Sequence, residues 1–163
     1  MSKTPWRQRM RNCVVPGLLF DTNVWLAAVF ANHPAHALAQ LALQRATPSE
    51  PANLCRASQQ SFLRLASTPS LSKGYGVSSM TNRDAWVTLD ILQALPQVRV
   101  IDEPPGVLAL WRTFSILDTA SPKVWMDAYL AAFAISGGLR MVTFDGDFRN
   151  YLQRGLALEL LKL

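Results

Sequence analysis

The stretch LLFDTNVW, residues 18–25, runs from a short apolar strand directly into an aspartate and then into a second apolar segment. The stretch MVTFDGDF, residues 141–148, repeats this pattern near the other end of the chain. A carboxylate at the edge of an apolar core costs free energy unless another group pairs with it. Because the carboxyl ends of parallel strands form the ligand-binding edge of an open α/β sheet, we expect Asp21 and Asp145 to share one site there, with Asp147 across the following turn.

Short apolar strands alternate with segments of helical periodicity along the rest of the chain. ANLC, VRVI and RMVTF are predicted strands, whereas the final LALELLKL suits either a strand or a frayed helix. The Ser- and Gly-rich residues 71–82 predict a mobile loop. Strands separated by helices pair in parallel within a covered sheet, so the sequence predicts an α/β fold with a mainly parallel sheet of about five strands.

The composition is that of a globular protein with one domain. The chain has 163 residues, of which half are apolar and 17% are charged. No apolar run approaches the roughly 18–20 residues that cross a bilayer, and we expect a cytoplasmic protein without membrane contact. Lys and Arg supply four positive charges before the first acid, so residues 1–16 are predicted to be a basic, flexible arm preceding a domain at 17–163. Such an arm either binds nucleic acid or is a solvated leader.

A third acid lies in the stretch VWMDAYLAAFA, residues 124–134. This helix is apolar almost all the way round, which predicts that Asp127 is buried. Carboxylates that share Mg²⁺ or Mn²⁺ avoid the cost of buried charge, because hard cations prefer oxygen ligands. Simpler roles stay open for each acid taken alone: Asp21 as a helix cap, Asp145 and Asp147 as turn residues, and Asp127 as a core acid paired with an arginine.

The stretches LLFDTNVWLAAV, WMDAYLAAFA and LRMVTFDGDF together resemble the signatures of PIN-domain ribonucleases, specifically the VapC-like toxins of type II toxin–antitoxin systems. Their order and approximate spacing match over residues 17–163. The resemblance implies a three-layer α/β/α fold and a metal-dependent endoribonuclease that hydrolyses RNA phosphodiester bonds. It also implies Mg²⁺ or Mn²⁺ as the cofactor, a cognate antitoxin as a partner, and a homodimer.

The resemblance also assigns roles to the acids. Asp21, Asp127 and Asp145 match the three principal family acids, which bind the metal and take part in catalysis. Asp147 matches an accessory catalytic acid that occurs in part of the family.

Three further positions match polar residues that surround the family's acidic site. Asn23 and Thr143 fall where supporting polar residues occur. Ser61 falls where the family usually has a glutamate, and no acid occurs between Pro51 and Arg83. The site is therefore expected to be short of one charge, which makes the number of bound metals an open question.

Four basic residues are candidate phosphate contacts for RNA: Arg56, Arg64, Lys73 and Arg149. Two other functions compete with the ribonuclease. A haloacid-dehalogenase-like phosphatase also places an aspartate after its first strand, but its DxD pattern meets Asn23 here. A catalytically weak PIN domain that binds RNA or a partner gains support from Ser61.

Overall fold

The structure, a computed structural model, describes residues 17–162, and the predicted basic arm at 1–16 lies outside this range. Its centre is a parallel sheet in the order β3-β2-β1-β4-β5. The strands are β1 Leu18–Phe20, β2 Ala52–Leu54, β3 Val98–Val100, β4 Arg140–Thr143 and β5 Ala157–Leu160. The predicted α/β fold with about five parallel strands is confirmed, and the final apolar segment forms a strand.

Helices cover both faces of this sheet. They are α1 Thr22–Val29, α2 His36–Arg45, α3 Arg56–Ala66, α4 Pro69–Gly74, α5 Asn82–Gln93, α6 Val107–Ser115 and α7 Val124–Gly137, with a 3₁₀ helix at Gly146–Arg154. Successive strand residues point to opposite faces. Leu18 and Phe20 accordingly pack with α1, α2, α3 and α5, whereas Leu19 packs with α6 and α7. The result is the expected three-layer arrangement.

The register of the two central strands sets the position of the predicted site. Phe20 at the end of β1 pairs with Val142 of β4. The backbone N–H of Asp21 then donates to the carbonyl oxygen of Val142 over 3.0 Å. Asp21 therefore leaves β1 directly beside the point where β4 continues into Thr143.

One local prediction was wrong in part. Residues 71–82 were predicted to be a mobile loop, but α4 occupies the first part of this segment and begins at Pro69. Proline at the first helical position needs no hydrogen-bond partner for its missing N–H, so it starts a new helix here after α3 has ended.

Across residues 17–162, no helix is long and apolar enough to traverse a bilayer.

The prediction that Asp127 is buried was also wrong in degree. The middle of α7, from Leu130 to Ala134, is buried against the sheet. Its first turn is open to solvent, since Trp125 is 57% exposed and Asp127 is half-buried. Asp127 is therefore accessible from solvent while its helix remains anchored in the core.

Candidate active site

Thr143, the last residue of β4, connects the acids at the two central strand ends. Its fully buried hydroxyl donates to Oδ2 of Asp21 over 2.7 Å. The same oxygen accepts from the backbone N–H of Asp145 over 3.0 Å and from Nδ2 of Asn23 over 3.2 Å. One donor and two acceptor positions are the full capacity of a hydroxyl, so Thr143 fixes three neighbours at once.

Asp21 and Asn23 are held by the start of α1. Asp21 is the N-cap of this helix, and its Oδ1 accepts from the backbone N–H of Thr22 over 2.7 Å. The Oδ1 of Asn23 accepts from the backbone N–H of Phe144 over 3.4 Å. The capping role and the site role of Asp21 are therefore compatible, because a carboxylate has further lone pairs to offer.

Asp145 and Asp147 belong to the turn that opens the 3₁₀ helix. Asp145 is its N-cap, and Oδ1 of Asp145 accepts from the backbone N–H of Asp147 over 2.8 Å. Asp145 is half-buried and Asp147 is exposed. The turn places two carboxylates beside the end of β4, one facing the sheet edge and one closer to solvent.

The electrostatics show that Asp127 lies close to the other acids. Burial raises the pKa of Asp127 from its ordinary value of 3.8 to about 6, and the negative charges of Asp145, Asp21 and Asp147 add to this shift. Each charge penalises ionisation of its neighbours. Asp127 is thus within electrostatic range of the other three predicted carboxylates, although the four come from three separate parts of the chain.

Asp21 is perturbed in the same direction. Burial raises its pKa, and the charge of Asp145 adds to the effect, while the hydrogen bonds from Thr143 and Thr22 act against it. Perturbed carboxylates that cluster at an exposed edge are typical of functional sites. Salt bridges do not relieve the cluster: the one ion pair within residues 17–162 joins Arg45 to Glu159 elsewhere.

The donor chemistry of this cluster suits a hard divalent cation. Burial and neighbouring charges perturb Asp127, and no side chain or backbone group of residues 17–162 donates a hydrogen bond to its carboxylate, so its oxygens are available as ligands toward the described part of the chain. Over the described part of the chain, no group of three or more acidic, histidine or cysteine side chains is placed to hold a metal ion in this structure. Mg²⁺ suits such an open arrangement, since it uses one or two carboxylates and retains several waters. The assignment of Asp21, Asp127 and Asp145 as its ligands stays a prediction.

Tyr151 is a neighbour of the site that the sequence did not indicate. Burial raises the pKa of its phenol, and the charges of Asp127 and Asp147 raise it further. Its ring packs against Phe114 and Phe148, with centroids 5.4 and 6.1 Å away. No sequence signal pointed to it, because Tyr151 is four residues after Asp147, whereas side chains three residues apart are the ones aligned along a 3₁₀ helix.

The remaining predicted residues differ in how the structure places them. Ser61 is half-exposed on α3, where Ser58, Gln59, Phe62 and Ala66 form the buried face. Arg64 and Lys73 are exposed on α3 and α4, and no described contact joins either to the acids. Arg56 donates from Nη1 to Oε1 of Gln59 over 2.8 Å. Arg149 lies over the turn between Asp145 and Asp147.

Comparison with known proteins identifies the family. The family model for the PIN domain matches residues 18–152, and the chain belongs to this family. A relative from Mycobacterium tuberculosis, named Ribonuclease VapC41, is 41% identical over 147 residues, which span 88% of this chain and 98% of the relative. The predicted resemblance to PIN-domain, VapC-like proteins is confirmed.

Solved structures with the same fold include three components of VapBC systems. VapBC2 from Rickettsia felis, bound to a promoter DNA fragment, aligns with a TM-score of 0.59 at 16% identity and covers 90% of this chain and 99% of that chain. VapC20 from M. tuberculosis, a sarcin–ricin-loop-cleaving toxin, gives 0.56 at 20% identity over 82% and 93%. VapBC-1 from nontypeable Haemophilus influenzae gives 0.59 at 12% identity over 88% and 97%. At these identities the likeness supports the fold.

Proposed function

We propose that this PIN-domain protein is a Mg²⁺- or Mn²⁺-dependent endoribonuclease and the toxin of a toxin–antitoxin pair. The observation that carries the proposal is the cluster of Asp21, Asp127, Asp145 and Asp147 at the carboxyl edge of the sheet, where each charge disfavours ionisation of Asp127. A bound cation resolves this repulsion and gives the carboxylates a common role. The 41% identity to a protein named as a ribonuclease agrees with this chemistry.

Each acid has a distinct task in this proposal. Asp21, Asp127 and Asp145 hold the cation, which when bound supplies a water of lowered pKa and stabilises charge on the scissile phosphate. Thr143 fixes the orientation of the Asp21 carboxylate through its 2.7 Å hydrogen bond. Asp147, exposed at the mouth of the site, accepts a hydrogen bond from the attacking water and orients it.

A cognate antitoxin and a second copy of the chain are the proposed protein partners. Two of the structural neighbours are VapBC complexes, whose names denote paired components. Exposed apolar side chains on α5, namely Trp86, Val87 and Ile91, leave a surface that a partner or a second copy can cover. The proposal places the protein in the cytoplasm, where its RNA substrate is found.

The alternatives differ in how well the site supports them. A phosphatase with a DxD nucleophile needs a second carboxylate where Asn23 stands, and the amide of Asn23 is engaged with Thr143 and the backbone of Phe144. A PIN domain with weak catalysis keeps support from Ser61, because α3 contributes no acid to the site. Cleavage of RNA by the protein with its four acids intact distinguishes the proposed ribonuclease from a PIN domain with weak catalysis.

The test is cleavage of labelled single-stranded RNA by the full chain in Mg²⁺, in Mn²⁺ and in EDTA, beside a generic phosphatase substrate. We expect internal cleavage with either metal, none in EDTA, and no release of phosphate from the generic substrate. RNA that binds without being cut in either metal would favour the catalytically weak domain. Hydrolysis of the generic substrate at a comparable rate would contradict the proposal.

A further inference from the structure

A groove of about 600 Å³ opens beside the acid cluster, at the carboxyl ends of β4 and β5. We call it the β4/β5 groove and define it by Asn23, His33, Phe144, Arg149 and Lys162, which line it. None of the three basic side chains in this set is near another in sequence. The fold alone brings them to one surface.

The groove is continuous with the acid site through two of its walls. Asn23 lines it and also donates to Thr143, which in turn donates to Asp21. Phe144 lines it and directly precedes Asp145 in the chain. A chain molecule lying in the groove is therefore adjacent to Asp21 and Asp145.

Arg149 provides a cation at the entrance to the groove. Its guanidinium lies over Gly146, with Nη1 only 2.8 Å from where a Cβ on residue 146 would be. Glycine at this position leaves the space that the guanidinium occupies. Arg149 is exposed and takes no part in the ion pair between Arg45 and Glu159, the one found within residues 17–162. A guanidinium so placed is suited to bind phosphate through paired hydrogen bonds.

His33 adds a neutral donor on the opposite wall. Its ring packs on Tyr75 at 4.8 Å, and its Nδ1 accepts from the backbone N–H of Ala35 over 3.0 Å. Burial lowers the pKa of His33, and the nearby His36 adds to this effect, so the imidazole is neutral at physiological pH. With Nδ1 acting as acceptor, the proton of the neutral ring is assigned to Nε2. Lys162 supplies a second cation along the same groove.

We propose that the β4/β5 groove binds the RNA strand adjoining the scissile bond, with Arg149 and Lys162 each contacting a backbone phosphate and His33 donating to the same strand. The inference rests on the proposed ribonuclease function and specifies which side of the acid cluster the substrate occupies. Charge complementarity supports it: RNA is a polyanion, and the groove offers two cations without lining acids. The cations also offset the repulsion between phosphate and the four carboxylates.

The experiment measures RNA binding and cleavage by Arg149→Gln and Lys162→Gln. Arg140→Gln is the matched control, because Arg140 is exposed at the opposite, amino end of β4 and its loss removes the same charge. Binding of a labelled single-stranded RNA is followed by fluorescence anisotropy across a KCl series, with Ca²⁺ in place of Mg²⁺, and cleavage is measured in Mn²⁺. A labelled polyglutamate peptide is titrated in parallel.

We expect each groove variant to weaken RNA binding about 5- to 10-fold, as loss of one solvent-exposed hydrogen-bonded contact does. The slope of log K against log salt should become shallower by about 0.7 for each variant, since a single-stranded phosphate contact releases counterions in that proportion. The control should keep the wild-type slope. In cleavage, the groove variants should raise KM with little change in kcat.

The outcomes separate this inference from the proposed function. If the wild type cleaves RNA and the groove variants match the control in affinity and slope, the groove assignment is overturned and the ribonuclease stands. If the wild type neither cleaves nor binds RNA, both are overturned. Unchanged RNA binding with weakened polyglutamate binding would assign the groove to an acidic protein segment, against the proposal.

Discussion

Two grooves flank the acid cluster at the carboxyl edge of the sheet, and their charges differ. The β4/β5 groove carries Arg149 and Lys162 and no lining acid. On the other side, a groove of about 320 Å³ at the ends of β2 and β3, which we call the β2/β3 groove, is lined by Arg56, Asp102 and Glu103 among others. The carboxyl ends of strands in one sheet therefore need not be equivalent toward a polyanion such as RNA.

Two polar side chains of the β2/β3 groove also have hydrogen-bond partners. Its one arginine, Arg56, is hydrogen-bonded to Gln59. The hydroxyl of Tyr129 donates to Glu103 over 2.8 Å, and burial together with this hydrogen bond raises the phenol pKa, so the donor stays protonated. Arg56 and Tyr129 of this groove are thus engaged in side-chain hydrogen bonds, whereas Arg149 in the β4/β5 groove is not in an ion pair within residues 17–162.

Charge reversal gives the largest expected contrast between the grooves. Arg149→Glu should lower kcat/KM for RNA cleavage by about 50-fold, because a like charge opposing a phosphate costs several kcal/mol. Arg56→Glu, the same reversal in the β2/β3 groove, should lower kcat/KM by less than about 3-fold. There the added negative charge acts on RNA only at long range, where salt screens it. Steady-state cleavage in Mn²⁺ measures both. Equal losses from the two reversals would remove the distinction between the grooves.

Gly146→Ala tests the position of the Arg149 guanidinium in the β4/β5 groove without changing any charge. The added methyl meets Nη1 of Arg149 at 2.8 Å and must push the flexible guanidinium aside. We expect RNA affinity to fall about 5-fold, close to the loss of one contact. Gly74→Ala is the control, because a Cβ at Gly74 in α4 meets no atom within 4 Å. Anisotropy titrations that show equal affinity for both variants would mean that the position of the guanidinium is immaterial.

The acid cluster between the grooves should make the metal-free protein less stable as pH rises. Folding raises the pKa of Asp127 from 3.8 to about 6, so the folded state holds this proton more tightly than the unfolded chain does. Its stabilising contribution is complete below pH 3.8 and is lost as the pH rises through about 6. Because Asp127 is half-exposed, we discount the effect to about 1 kcal/mol, or about 2–4 °C in Tm.

Thermal melts of wild type and Asp127→Asn in EDTA from pH 4 to pH 7.5 isolate this contribution. The Tm of the variant should rise by about 2–4 °C relative to that of the wild type as the pH increases. Mn²⁺ at pH 7.5 should raise the Tm of the wild type more than that of the variant. A Tm difference that is constant across this pH range would contradict the raised pKa of Asp127.

The smallest effect is expected from removing an acid of the β2/β3 groove. Asp102→Asn should strengthen RNA binding by about 2-fold at low salt, and the gain should vanish as salt screens the charge. Asp90→Asn on α5 is the control, since Asp90 is exposed and lies outside both grooves. A gain that persists at high salt would indicate a direct contact in the β2/β3 groove and weaken the contrast.

The sequence predicted the strands and two acids at their ends because burial and strand termini are local patterns. It predicted too deep a position for Asp127, since hydrophobicity along α7 does not reveal which turn of the helix is open to solvent. The mobile loop predicted for residues 71–82 overlooked Pro69, which suits the first position of a helix and here starts α4. Proline at a junction therefore marks a boundary without distinguishing a loop from a new helix on its C-terminal side.

The parts of the site that the sequence could not predict depend on register and tertiary packing. Thr143 was predicted to be a supporting residue, but its three hydrogen bonds follow from the pairing of β1 with β4. The β4/β5 groove joins His33, Arg149 and Lys162, which no sequence window contains together. Arg149 was one of four basic candidates of equal standing until the structure set it over Gly146.

The most direct test of the central claim, that the acid cluster cleaves RNA with a divalent cation, is single-turnover cleavage by Asp127→Asn in Mg²⁺ and in Mn²⁺. The change is nearly isosteric and removes one carboxylate from the cluster, so we expect the rate to fall at least about 100-fold, a loss of about 2.7 kcal/mol of transition-state stabilisation. Asp118→Asn, at an exposed aspartate in the loop between α6 and α7, should cleave like the wild type. Wild-type cleavage by folded Asp127→Asn in both metals would contradict the account.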